Sequence, residues 1–135
     1  DRPRLFRWGF THPIECEGKM HAGKSPEPKG PYGYWLQEQA LYNQFHEDYV
    51  FRAKNDFALS CHDSVLPKEA FEDIYIGRRS AEWIREIPND FPWHFFVSFV
   101  GPHDPFDPPA EYAEPYRKAD MPKAIPHCPE GKPAR

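Results

Sequence analysis

The sequence has no run of about 18 apolar residues, the length a membrane-spanning helix needs, so no membrane partner is expected. It has no excess of positive charge either. Lys and Arg number 17 against 21 Asp and Glu, giving a net charge of −4, whereas a nucleic-acid surface needs a basic face. Cysteine is sparse: Cys16, Cys61 and Cys128 lie far apart and never form a C-x-x-C pair. That pattern argues against a disulfide or zinc framework and leans towards a reducing compartment such as the cytoplasm. The opening residues DRPRLFRWGF lack the apolar core of a signal peptide. No Walker loop, G-x-G-x-x-G, G-x-S-x-G or H-E-x-x-H occurs.

Proline and aromatic residues are abundant instead. The 17 prolines concentrate in residues 25–33 and 102–133, so much of the chain must be irregular or extended. An aromatic content of 16% argues for packed pieces rather than disorder. A length of 135 residues suits one domain with a modest core, and no internal repeat is visible.

Residues 12–17 (HPIECE) alternate enough for a short strand, ended by Gly18. Residues 34–45 space Trp35 or Leu36, Ala40 and Leu41, and Phe45 as one face of an amphipathic helix. Residues 46–65 show no clean period and read as an excursion outside the core. The best helix spans residues 67–87: Pro67 suits its first turn, and Glu69, Glu72 and Asp73 complement its positive end. Its stripe of Ala70, Ile74, Gly77, Ala81 and Ile84 contains small residues that would let it sit close to a sheet. A Pro-Asn-Asp run at 88–90 breaks it. Next comes WHFFVSFVGPHDPFDPP at 93–109, whose apolar run over 95–100 stops at Gly101-Pro102. Such a run suits a strand buried on both faces, so helix, loop and strand together predict half of a βαβ unit. The expectation is an α/β fold: a sheet with flanking helices and long proline-rich loops. A short helical piece is expected at 110–117.

In open α/β sheets, ligands bind beyond the carboxyl ends of the strands. His103 and Asp104 stand at that point. An imidazole there could donate a hydrogen bond to an anionic ester oxygen or protonate a leaving group. The competing reading is a histidine capping a turn, with Asp104 bonding locally. Lys19 and His21, in EGKMH, would project to one side of an extended segment and contact a sulfate or phosphate. A solvated loop is the alternative there. His62 and Asp63 beside Cys61 are adjacent, which suits a shared metal ion poorly. Arg78 and Arg79 read as a solvated helix face.

These segments resemble the sulfatases of the alkaline-phosphatase superfamily. The likeness is best over residues 66–112, where LPKEAFEDIYIGRRSAEWI looks like the family helix before a central strand. HFFVSFVGPHDPFDPPAEY looks like that strand and the H-x-P-F element, matched by His103, Pro105 and Phe106. The resemblance implies a partial sulfatase-like sheet and, for the complete enzyme, hydrolysis of sulfate monoesters. It also implies calcium and a formylglycine made from cysteine in a C-x-P-S-R motif. It assigns His103 a sulfate contact and, through the G-K-x-H element, gives Lys19 and His21 a similar role. An alternative alignment places Trp8, Gly9 and Phe10 on a later G-F-D segment and makes EGKMH a variable substrate-facing loop. Departures are plain: no cysteine lies in C-x-P-S-R, and the family's metal-binding aspartates and asparagine are unmatched. Residues 1–135 are therefore expected to be an internal portion of a single sulfatase-like domain, with the calcium ligands elsewhere and no turnover alone. The expected partners are a small sulfate ester and either the remainder of the enzyme or a further copy of the chain. A phosphodiesterase or phosphonate monoester hydrolase of the same superfamily, or a non-catalytic anion-binding remnant, are the alternatives.

Overall fold

Proline has a fixed φ and no amide hydrogen, which suits the first turn of a helix, and α1 (Pro31–Glu38) begins on one. The computed structural model describes residues 7–19, 21–55, 60–117 and 119–123. No acidic residue lies in the first turn of α1, so its free amides need an acceptor from elsewhere. Glu17 provides it, accepting from the Gly33 amide at 3.0 Å. A Cβ on Gly30 or Gly33 would run into the Glu17 carboxylate, so neither position has room for a side chain.

One helix over 34–45 was the expectation; two helices form. Ala40 takes a left-handed φ of 57°, the Leu41 amide bonds Leu36 O at 2.8 Å, and the Ala40 amide bonds Gln37 O at 2.9 Å. These paired bonds are a Schellman ending, which closes α1 and lets α2 (Tyr42–Lys54) start in a new direction. Phe45, Tyr49 and Arg52, at helical spacing, are buried on α2. The expectation of an excursion over 46–65 is thus corrected for its first half. Charged neighbours such as Glu47, Asp48 and Lys54 hide the period.

The expected helix over 67–87 is also divided. A single 3-10 turn, Lys68–Ala70, precedes α3 (Glu72–Glu86), because Phe71 is extended with ψ 142°. Glu72 and Asp73 sit in the first turn of α3, as its dipole favours. The helical piece expected at 110–117 forms as α4 (Ala110–Arg117).

The core joins α1, α2 and residues 66–75. Tyr32 meets Phe45 at 5.9 Å and Tyr75 at 5.3 Å between ring centroids, and Phe45 meets Tyr49 at 4.4 Å. Tyr32 also donates its hydroxyl to Ala70 O at 2.8 Å, tying α1 to the turn before α3. The turn at 18–22 closes the core from below, with Ala22 buried and Gly23 packed against Phe45 and Tyr49.

The α/β expectation is overturned: four helices and no strand or sheet occur among the described residues. Neither residues 12–17 nor residues 93–100 form a ladder. The reason is the partner, not the pattern, since a strand exists only by exchanging backbone hydrogen bonds with a neighbour. Between residues 93 and 99 no backbone bond to another described residue forms. What does form is the helix-side packing. Trp83 stacks on Phe95 at 4.5 Å, Gly77 lies beside Phe99 with space for ordinary contact, and Asp73 accepts from the Val100 and Gly101 amides at 2.8 and 3.2 Å. The outer side of the run stays bare, with Phe96 67% exposed.

Two outcomes follow from this arrangement. Ala40→Gly relieves a left-handed alanine and is expected to raise stability by about 1 kcal/mol in urea unfolding. The apolar side chains of Phe91, Trp93, Phe96 and Phe99 are all exposed, so the isolated chain is expected to self-associate. Monodisperse monomer in light scattering at tens of micromolar would contradict this.

Candidate functional site

The apolar run 95–100 ends where Gly101 meets Asp73: a Cβ there would strike the Asp73 carboxylate. The chain then turns, with the His103 amide bonding Val100 O at 3.2 Å. His103 is 49% exposed on this turn. Its Nδ1 lies 2.8 Å from the Asp104 carbonyl and 3.0 Å from the Asp104 carboxylate. Both are acceptors, so Nδ1 must carry the proton and donate. That leaves Nε2 as the nitrogen for a ligand. The turn-capping geometry and an accessible ring nitrogen therefore coexist in one residue.

Pro105 is fully buried behind His103, while Phe106 is exposed. The loop is pinned by Lys19, whose ammonium donates to Pro105 O at 3.1 Å and forms a close ion pair with Asp107. Tyr49 donates to the second Asp107 oxygen at 3.2 Å, and Lys19 also sits 5.1 Å from the centre of the Phe71 ring. Burial pushes the Asp107 carboxyl above the usual range, and Lys19 opposes that shift. Two further bonds complete the floor: Phe106 N to Ser60 O and Ser64 N to Pro108 O, both 3.0 Å.

Ser60 and its neighbours are held in turn by Arg52, which is 1% exposed. Its guanidinium donates to the Asp48 carboxylate, Ser60 Oγ, and the carbonyls of His62 and Asp63. Such a planar fork of donors suits one arginine gathering a loop. Sequence reasoning missed Arg52, Tyr49 and Asp107. The spacing of Phe45, Tyr49 and Arg52 could have flagged the first two, but no pattern in HDPFDPP marks Asp107.

The expected site residues separate by burial. Residues 18–22 form a turn, not an extended segment: Gly18 O accepts from both His21 N at 3.0 Å and Ala22 N at 2.8 Å. Lys19 is therefore 5% exposed beneath the His103 loop, whereas His21 is exposed. Lys19 reaches the backbone two residues beyond His103 with its ammonium already engaged. His62 is exposed, and Asp63 pairs with Arg117. Arg78, on the exposed face expected for it, covers the Trp35 ring at 5.7 Å.

No group of three His, Cys, Asp or Glu among the described residues could hold a metal ion. Cys16 is no nucleophile: burial, with Glu72 and Glu17 adding to it, pushes its thiol up to about 12. Cys61 is exposed, and Cys128 lies outside the described residues. Calcium and formylglycine thus find no fitting residues in the described part of this chain. A trough of about 1200 Å³ runs between α3 and residues 8–16 and 91–100, lined by Tyr75, Trp83 and Phe95 among others. Lys19, His21 and His103 do not line it. Among the described residues, no helix is long and apolar enough to cross a membrane.

Comparison with known proteins yields one distant likeness. The chain is 25% identical over 130 residues to an arylsulfatase of Clostridium perfringens (strain 13 / Type A), covering 87% of this chain. It spans 25% of that protein's length. No protein-family model matches, and no solved structure matches. The relationship is sulfatase-like and remote.

Removing one partner of a buried ion pair strands the other, so Lys19→Ala is expected to cost roughly 3 to 5 kcal/mol. Lys19→Met combined with Asp107→Asn should recover most of the loss in a double-mutant cycle by urea unfolding. Additive losses would show that the pair contributes nothing jointly.

Proposed function

We propose that residues 1–135 are part of a sulfuric ester hydrolase of the arylsulfatase kind, acting on small sulfate monoesters. The observation that carries this reading is the 25% identity with an arylsulfatase, which extends over 130 residues rather than one motif. The H-x-P-F element falls on the exposed, rigidly floored loop of His103, which is consistent with it. His103 is the proposed sulfate-contacting and catalytic residue. With Nδ1 donating to Asp104, its Nε2 in the imidazolium form donates to a sulfate oxygen and can protonate the departing alkoxide.

Lys19 and His21 take different parts in this reading. His21, exposed on the turn, is the substrate-binding candidate. Lys19 holds the loop backbone at Pro105 and acts on substrate through His103's position. The ligands for calcium and the formylglycine nucleophile would be supplied by polypeptide other than residues 1–135, which by themselves are not expected to turn over substrate. An arylsulfatase-length protein containing these residues is the species to assay.

In that protein, His103→Ala is expected to lower kcat/KM for an aryl sulfate by about 10²-fold or more. The unaltered protein should hydrolyse the aryl sulfate in preference to the matching aryl phosphonate. Preference for the phosphonate would move the assignment to a phosphonate or phosphodiester hydrolase. Unchanged kcat/KM in His103→Ala would remove His103 from the site.

A further inference from the structure

α4 has little in its own sequence to hold it. An eight-residue helix is too short to persist alone in water. Pro115 lies inside it and has no amide to offer the Glu111 carbonyl. None of its residues is buried, and Tyr112 and Tyr116 are 52% and 69% exposed. Apolar burial therefore does not fix this helix in place. Charge at its two ends does. Glu111, near its start, pairs with Lys68 of the 3-10 turn at 3.3 Å. Arg117, its last residue, forms a close ion pair with Asp63, in the loop that Arg52 gathers.

We propose that α4 is an ionic strap, closed by the Lys68–Glu111 and Asp63–Arg117 pairs and released as ionic strength rises. Both pairs are exposed to solvent, so each contributes little alone and is screened by salt. The screening length shrinks from about 10 Å at 0.1 M salt to about 3 Å at 1 M. A helix with a buried apolar face keeps its docking when charge is screened; α4 has no such face. Each cation also has a second carboxylate near at hand on its own element. Glu114 lies 3.6 Å from the Arg117 guanidinium, and Glu69 lies 4.0 Å from the Lys68 ammonium. Opening the strap therefore exchanges partners rather than stranding charges, which keeps the closed and open states close in free energy.

The residues just before α4 set the hinge. Asp107 is buried against Lys19 and Tyr49, Pro108 O accepts from the Ser64 amide, and Pro109 is buried. Opening therefore starts at Ala110 and leaves the His103 loop on its own anchors. Closed, the strap joins the 60–64 loop to the 3-10 turn before α3. Open, it bares the Asp63 carboxylate and the Lys68 ammonium beside that loop. The inference stands whether or not the chain belongs to a sulfate ester hydrolase.

The test follows the ¹³Cα chemical shifts of residues 111–117, which report helix, in the complete 135-residue chain at about 20 mM and about 1 M NaCl. The ratio of closed to open α4 is expected to fall roughly fivefold at the higher salt, with the shifts of buried Tyr75 unchanged. Lys68→Gln combined with Asp63→Asn should open the strap already at low salt and remove the salt response, while Tyr75 shows that the core is still folded. An α4 that stays equally helical at both salt concentrations would overturn the proposal. So would a double variant that remains closed at low salt or keeps the full salt response.

Discussion

The contact between Lys19 and Asp107 organises the rest of this structure. It joins a turn near the start of the chain to a proline-rich loop 88 positions later, and it does so inside the protein. Two charges out of water are tolerable only when further bonds occupy their remaining donors and acceptors. Here Pro105 O, Tyr49 and the face of Phe71 complete the set. Through Tyr49 the pair reaches α2, and through the neighbouring Phe106–Ser60 and Ser64–Pro108 backbone bonds it reaches the segment that Arg52 gathers. A loop with proline at 102, 105, 108 and 109 cannot hold itself by regular backbone pairing. The buried pair and its satellites substitute for a ladder.

The opposite side of α3 shows the converse situation. Residues 93–100 have the composition of a doubly buried strand and the packing of one on their helix side, through Trp83, Gly77 and Asp73. Among the described residues they bond to no neighbouring backbone, so no sheet forms there and a broad apolar trough remains. The chain thus has a polar half tied together around α2 and Asp107, and an apolar half whose backbone hydrogen-bonding capacity is unspent among the described residues. His103 stands at the junction, with Val100 behind it and Pro105 fixed beneath it.

Local signals were legible in the sequence where one stretch decided the outcome. The acidic first turn of α3 is visible in Glu72 and Asp73, and α4 spans the stretch expected of it, whereas Pro31, expected in an irregular stretch, opens α1, and Pro67 precedes a 3-10 turn rather than α3. The Schellman ending was not legible, because alanine at position 40 adopts a conformation usually marked by glycine. The sheet was misread because periodicity reports which faces are apolar, not whether a partner strand is at hand. His103 could be singled out from its place after an apolar run. The roles of Lys19, Asp107 and Arg52 could not, since each depends on contacts across long sequence separations. A lysine beside a histidine on paper looks like an anion site. Folded, the turn at Gly18 buries one and exposes the other.

Chemically, this division of labour is coherent. The residue with an accessible ring nitrogen is exposed, and Lys19, Asp107 and Arg52 beneath its loop are buried, paired and structural. If the Lys19–Asp107 contact organises the structure, the turn at 18–22, the loop at 60–64 and the loop at 103–108 open together, as one cooperative unit. Native-state amide hydrogen exchange of the Ala22, Ser64 and Phe106 amides tests this most directly. The three are expected to exchange with the same opening free energy. Rapid exchange at Ser64 and Phe106 with Ala22 still protected would show that the loops are held independently, and would contradict it.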